Sequence, residues 1–98
     1  MTEIKMVGPV IRGADGDLAE AVIAAMETDN PGVELQVDDQ GGYIRVSAPQ
    51  RCRVTRASLE TELGTSFPLA RLEPALSGFA GRMRVTDDQI EWYLERMD

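Results

Sequence analysis

Residues 10–26 read VIRGADGDLAEAVIAAM, and the fold turns on how this stretch is understood. An apolar run ends at Arg12, and the turn Gly13-Ala14-Asp15-Gly16 follows. Leu18, Ala21, Val22 and Ala25 then recur at i, i+3, i+4 and i+7. That spacing predicts an amphipathic helix, its apolar face widened by Ile23 and Met26. Strand, glycine turn and helix in succession are also the layout of a phosphate-binding loop. The chemistry argues against one. Neither G-x-G-x-x-G nor G-x-x-x-x-G-K-[ST] is present, and Asp17 and Glu20 already bring negative charge to the helix start. Asp17 is read as the N-cap, with Glu20 completing a capping-box arrangement.

Working outward, residues 6–12 form the preceding strand. Pro9 lacks a backbone donor and points to an edge position or to the strand's beginning. Asn30-Pro31-Gly32 stops the helix. Val33, Leu35 and Val37 alternate with polar neighbours and predict a half-buried strand. After the turn Asp39-Gln40-Gly41-Gly42, a second alternation buries Ile44, Val46 and Ala48 and turns Tyr43, Arg45 and Ser47 outward, so a hairpin is expected.

Pro49 opens the second half. Arg51 to Val54 make a short strand. Thr55 caps a helix over residues 56–63 that buries Leu59 and Leu63, and Gly64 supplies its left-handed stop. A helical turn starts at Pro68, uses Leu69 and Leu72, and ends at Pro74. Phe79, Met83 and Val85 share one face of a strand that includes Gly81. Thr86-Asp87-Asp88-Gln89 turns the chain. Ile90, Trp92 and Leu94 then alternate with Glu91, Tyr93 and Glu95 in a last strand, a short C-terminal helix being the alternative. The sum is an α+β fold in a single domain over residues 1–98. Residues 1–6 are a flexible lead, residues 7–48 run strand-helix-strand-strand, and residues 49–98 run strand-helix-helix-strand-strand, with small sheets packed on helices.

Composition narrows the function. The 98 residues carry 17 acidic against 10 basic side chains, a formal charge of −7. That balance disfavours DNA and RNA as partners and fits solubility or steering toward a basic surface. No apolar run reaches the length of a membrane span. The start Met1-Thr2-Glu3-Ile4-Lys5 lacks a secretory pattern, so a cytoplasmic protein is expected. There is no histidine and one cysteine, Cys52. The commonest general base and metal ligand are therefore missing, and a zinc site of the usual kind cannot be assembled. No calcium-loop pattern appears either, and no cofactor is expected.

Individual candidates read mainly as structure. Cys52 lies between Arg51 and Arg53 but has no histidine to act as base, so an inward-facing strand cysteine is expected. Glu60 with Glu62, and Asp87 with Asp88, are surface carboxylates rather than an acid–base pair. Arg51, Arg53 and Arg56, with Arg45, are either a solvated face or a site for an anion or an acidic partner. Arg51 and Arg53 point the same way on a strand. Trp92 and Tyr93 face opposite sides, one in the core and the other on a contact surface.

An ordered series of short motifs carries a resemblance. Val7-Gly8-Pro9-Val10-Ile11-Arg12, Asp29-Asn30-Pro31-Gly32 and Tyr43-Ile44-Arg45-Val46 come first. Thr55-Arg56-x-x-Leu59-Glu60-x-x-Leu63-Gly64, Phe79-Ala80-Gly81 and Asp88-Gln89-Ile90 complete it. Spanning roughly residues 7–94, the chain resembles the coupling (effector, or regulatory) proteins of bacterial multicomponent diiron monooxygenases, and the toluene, phenol and alkene branch most closely. The resemblance implies a small, cofactor-free protein with no catalysis of its own. Its partner would be the hydroxylase component that holds the diiron centre, and free in solution it would be a monomer. In methane-oxidising relatives the segment before a Gly-Arg pair reaches toward the partner's active site. Here the matching residues are Ala75, Leu76, Ser77, Gly78, Phe79 and Ala80, before Gly81 and Arg82. Ala75 stands where those relatives have Asn and Phe79 where they have Thr, so methane-branch contacts do not carry over. Arg12 and Arg45 complete the expected partner-binding set. Phe79 is either a core residue or an interface anchor. Two other classes stand beside this reading. One is a small acylphosphatase-like enzyme, which needs Arg12 and Asn30 around an anion. The other is a metabolite-sensing regulatory domain.

Overall fold

The computed structural model describes residues 5–94. Of the expected lead over residues 1–6, residues 1–4 lie outside the described residues, as does Glu95; the last segment, Gln89–Tyr93, is strand and not the alternative helix. The opening stretch is the strand β1 (Met6–Arg12), a 3-10 turn (Gly13–Asp15) and the helix α1 (Gly16–Asp29). The turn's first glycine answers to packing. A Cβ on Gly13 would lie 1.9 Å from the Gly41 carbonyl oxygen, and Gly13 N–H donates to the Gly42 carbonyl at 3.0 Å. The loop is therefore pressed against the tip of the following hairpin and leaves no cradle for an anion. The capping box is not formed. The N-cap position is Asp15, whose side chain makes no capping bond, and Asp17 sits inside the first turn. There it favours the helix only through the macrodipole.

The hairpin is β2 (Gln36–Asp39) and β3 (Tyr43–Pro49), followed by β4 (Arg51–Thr55) and α2 (Arg56–Leu63). Thr55 accepts a hydrogen bond from Ser58 N–H, and Gly64 closes α2 in the left-handed region at φ 72°. Both caps stand where the sequence places them. Two 3-10 turns (Leu69–Arg71 and Glu73–Ala75) occupy the next segment. Pro74 lies within the second turn instead of ending the first, because a proline near a helix start loses no needed donor. Three strands complete the chain: β5 (Leu76–Ala80), β6 (Arg82–Val85) and β7 (Gln89–Tyr93).

The strands form a four-stranded sheet in the order β2-β3-β1-β5 and a three-stranded sheet in the order β4-β7-β6. Strand β1 is thus interior, and Pro9 is neither at an edge nor at the start. The β1–β3 ladder accommodates it by leaving Gly8 and Pro9 out of the pairing. The single strand expected around Phe79, Met83 and Val85 is cut in two at Gly81, so Phe79 belongs to one sheet and Met83 and Val85 to the other. Gly81 has φ 87°, and a Cβ there would lie 2.6 Å from Val7 Cγ1. The other crossing, from β3 to β4, turns on Gln50 at φ 66°. Residues 33–35 are not strand. Val37 pairs with Val46 but is 48% exposed, because β2 overhangs the core.

Helix α1 packs on α2 and β4 as well as beneath β1, so the two parts of the chain interlock. One buried cluster runs from Val7 and Ile11 through Val22 and Met26 to Leu59, Leu72, Ile90 and Trp92. The Asp29-Asn30 pair is the clasp. Asn30 Nδ2 donates to the Arg53 carbonyl at 2.7 Å, and its Oδ1 accepts Arg53 N–H at 3.0 Å. The amide thereby acts as a strand partner for the edge of β4. Asp29 accepts from Thr55 N–H at 2.7 Å and from Ser58 Oγ at 2.7 Å, which ties the end of α1 to the start of α2.

Candidate partner-docking site

The outer face of the four-stranded sheet is built by β1, β3 and β5. In an antiparallel ladder, residues directly opposite share a face. Pairing sets Arg45 and Gly78 on either side of Val10 and Asp38 beyond Arg45. The β1–β5 register slips between Val10 and Ile11, whose partners are Gly78 and Leu76. Ser77 is the bulged residue, its hydroxyl donating to the Val10 carbonyl at 3.4 Å. A bulge of this kind bends the strand and re-aims its side chains.

The result is an open groove of about 440 Å³ lined by Val10, Tyr43, Arg45, Ser77, Gly78, Phe79 and Ala80. Phe79 is 47% exposed and Tyr43 37% exposed, which settles Phe79 as a surface aromatic. The Arg45 guanidinium lies 5.9 Å from the Tyr43 ring centroid. Gly78 and Ala80 keep the floor low, and a Cβ added at Gly78 would meet no atom within 4 Å. Two exposed rings, a guanidinium and a hydroxyl around a small-residue floor suit protein recognition. No carboxylate or amine lines the groove to activate the Ser77 hydroxyl.

The sequence-predicted set is divided by the fold. Ser77, Gly78, Phe79, Ala80 and Arg45 come together in this groove. Arg12 is exposed beside it, opposite Tyr43 in the ladder, and donates to the Pro74 carbonyl at 3.4 Å. With Ala75 it lines a second, smaller depression. Ala75 itself is buried, and Leu76 is half-buried against the core. Gly81 is the hinge between sheets, and Arg82 belongs to the other sheet, opposite Tyr93. Tyr43 and Val10 were absent from the expected set. The outward alternation of Tyr43 with Arg45 was the signal available for Tyr43.

The remaining candidates resolve as structure. Cys52 is buried, its Sγ donating to the Val7 carbonyl at 3.6 Å, and burial pushes the thiol up to about 12. Glu60 is held below the usual carboxylate range by the Phe67 N–H and by the Arg56 guanidinium. Arg51, Arg53 and Arg56 do not join Arg45. Among the described residues no three His, Cys, Asp or Glu side chains gather as a metal site would require. The acylphosphatase arrangement is not built. Arg12 precedes α1 and Asn30 follows it, about 20 Å away at 1.5 Å per residue, and the Asn30 amide is engaged by Met26 and Arg53.

Residues 5–93 match the family model described as the MmoB/DmpM family. The chain belongs to the MmoB/DmpM family. It is 51% identical over 88 residues to the effector subunit of the alkene monooxygenase system of Xanthobacter autotrophicus (strain ATCC BAA-1158 / Py2), covering 90% of this chain and 85% of that protein. Two solved structures of a phenol hydroxylase–regulatory protein complex contain chains with the same fold. One superposes with a TM-score of 0.75 at 24% identity, over 93% of this chain and 100% of its own. The other gives 0.69 at 27% identity, over 90% and 100%. As an MmoB/DmpM member, the chain has relatives that are effector or regulatory components of monooxygenase systems. The motif series therefore marks real structural positions: the β1 core, the Asp29-Asn30 clasp, the β3 face and the α2 caps.

Proposed function

We propose that this protein is the effector component of a diiron monooxygenase, acting in the cytoplasm and monomeric when free. It docks on the hydroxylase component through the groove of Tyr43, Arg45, Ser77, Gly78, Phe79 and Ala80, with Arg12 at its margin. The observation that carries the reading is the 51% identity to an effector subunit along nearly the whole chain. The exposed aromatic pair Tyr43 and Phe79 on one groove supports the choice of surface.

Such a protein changes a rate without reacting. It binds one conformation of the hydroxylase more tightly than another, and only that differential affinity shifts the population. Moving a partner from 1:99 to 99:1 takes about 5.5 kcal/mol. An interface of roughly 800 Å² per partner supplies interactions on that scale, a small part of the 6094 Å² this chain exposes. Active-site geometry, oxygen reactivity and the coupling of electron use to hydroxylation or epoxidation are then set by which conformation dominates.

Gly78→Trp tests the surface. A Cβ at Gly78 meets no atom within 4 Å, the larger ring is directed to fill the groove, and thermal melting checks that the fold is kept. Titration against the cognate hydroxylase is expected to show affinity weakened at least about tenfold, or 1.4 kcal/mol. Unchanged affinity in a folded variant refutes the docking assignment.

A further inference from the structure

The three-stranded sheet carries a second surface that the groove does not use. Its ladder sets Arg51, Tyr93 and Arg82 in one rank, and Arg53, Glu91 and Arg84 in the next. Residues of a rank share a face. The opposite face holds Cys52, Trp92 and Met83, with Val54 and Ile90, and turns to the core. Four of the chain's ten basic residues therefore stand on the two strands that flank β7, all four exposed, on a protein of net charge −7.

The cluster is held in place. Arg51 bonds Glu91 through both Nε, at 2.7 Å, and Nη2. The Glu91 side chain is 8% exposed, while that of Arg51 remains 66% exposed. Among the described residues of these ranks Glu91 is the one carboxylate, and it is tucked beneath a guanidinium and offers little negative charge to solvent. The Arg84 guanidinium lies 5.6 Å from the Tyr93 ring centroid. Arg53 donates to the Gln89 side chain at 3.2 Å and to the Asp29 carbonyl at 3.4 Å. Arginines fixed in this way lose less freedom on binding.

We propose that this arginine face is a second docking surface, for a carboxylate-rich patch on a protein component of the same monooxygenase system. The partner's identity rests on the effector reading above. The chemistry favours a protein over a nucleic acid or an anionic membrane. An extended polyanion would meet the repulsion of the whole acidic chain, whereas a local acidic patch meets only the arginines. Arginine and tyrosine are also the residue types that anchor protein interfaces.

The test measures binding of the full chain to the purified hydroxylase and, separately, the purified reductase, across a salt series. Arg82→Glu/Arg84→Glu reverses two charges on the edge strand β6 and leaves the Arg51–Glu91 pair intact. Thermal melting checks its fold, and Arg82→Lys/Arg84→Lys keeps the charge. Expected are a wild-type affinity for one component that falls as salt rises, and a loss of about tenfold or more at low salt for the glutamate variant. Its salt dependence should be flatter, and the lysine variant should stay near wild type. Salt-independent wild-type binding overturns the proposal without any variant. So does a glutamate variant that binds both components like wild type, or binding to anionic vesicles in preference to either protein. Turnover stimulation that survives with unchanged affinities removes only the arginine surface. A wild-type chain that binds neither component removes the effector reading and the partner named here with it.

Discussion

Asn30→Ala removes the clasp between α1 and the second sheet, and its cost can be worked from the structure. The side chain makes two bonds to the backbone of Arg53 and one to the Met26 carbonyl, at 2.7 to 3.0 Å. Each contributes about 1 kcal/mol net. Truncation also strands the N–H and C=O of Arg53 on the edge of β4. Water reaches them in part, so the total loss is about 2–3 kcal/mol rather than the full desolvation penalty. For a domain of this size, 1 kcal/mol shifts Tm by about 4–8 °C, so the variant should melt roughly 10–20 °C lower. Trp92 is the only tryptophan and is fully buried, so its fluorescence follows unfolding. Asn30→Asp sharpens the test. A carboxylate there still accepts from Arg53 N–H, but it cannot donate to the two carbonyls, and it adds negative charge at a helix C-terminus. Its pKa should be raised in the fold. The stability difference from wild type is therefore largest above that raised folded pKa and narrows as pH falls through it toward the unfolded carboxyl value. An Asn30→Ala protein within about 0.5 kcal/mol of wild type refutes the clasp. So does an Asn30→Asp protein that is more stable than the alanine variant at neutral pH.

Further outcomes follow from other residues. Gly81→Ala forces a side chain into φ 87° against Val7 and the Tyr93 carbonyl, and should cost about 3 kcal/mol by denaturant titration. Cys52 should resist alkylation in the native state. Its thiol pKa rises from 9.0 to about 12 on burial, so stability present below pH 9 is lost as pH climbs toward 12. Cys52→Ala should flatten that alkaline limb in pH-dependent melts. Glu60, whose folded pKa is lowered from 4.5, contributes stability above that pH which is lost as pH falls through the folded value. Glu60→Gln should therefore lessen the dependence of Tm on pH in the acid range.

What could be read from the sequence was what local signals determine. Thr55 and Gly64 fix α2 within their own turns, and the spacing of Leu18, Ala21, Val22 and Ala25 fixes α1. Alternation misled at Val33 and Val37, which are exposed, because it records a pattern and not whether anything lies beneath it; Leu35 does pack on the core, but outside any strand. The same pattern in residues 79–85 hid the hinge at Gly81, where a positive φ and contact with Val7 matter more than periodicity. The groove was legible in Ser77, Gly78, Phe79 and Ala80 through family resemblance. Tyr43 and Val10 join it only through β1–β3 and β1–β5 pairing, which is non-local. The arginine face was half visible in Arg51 and Arg53. Arg82 and Arg84 come from a strand some thirty residues away, and only the register around β7 brings them alongside.

The central claim is that this chain changes what a hydroxylase does by binding it. Turnover and product formed per electron pair consumed should be measured for the cognate hydroxylase and reductase, alone and with an equivalent of this protein. A rise in both is expected, saturating near one effector per docking site and lost with Gly78→Trp. Unchanged turnover and coupling at saturating wild-type protein would contradict it.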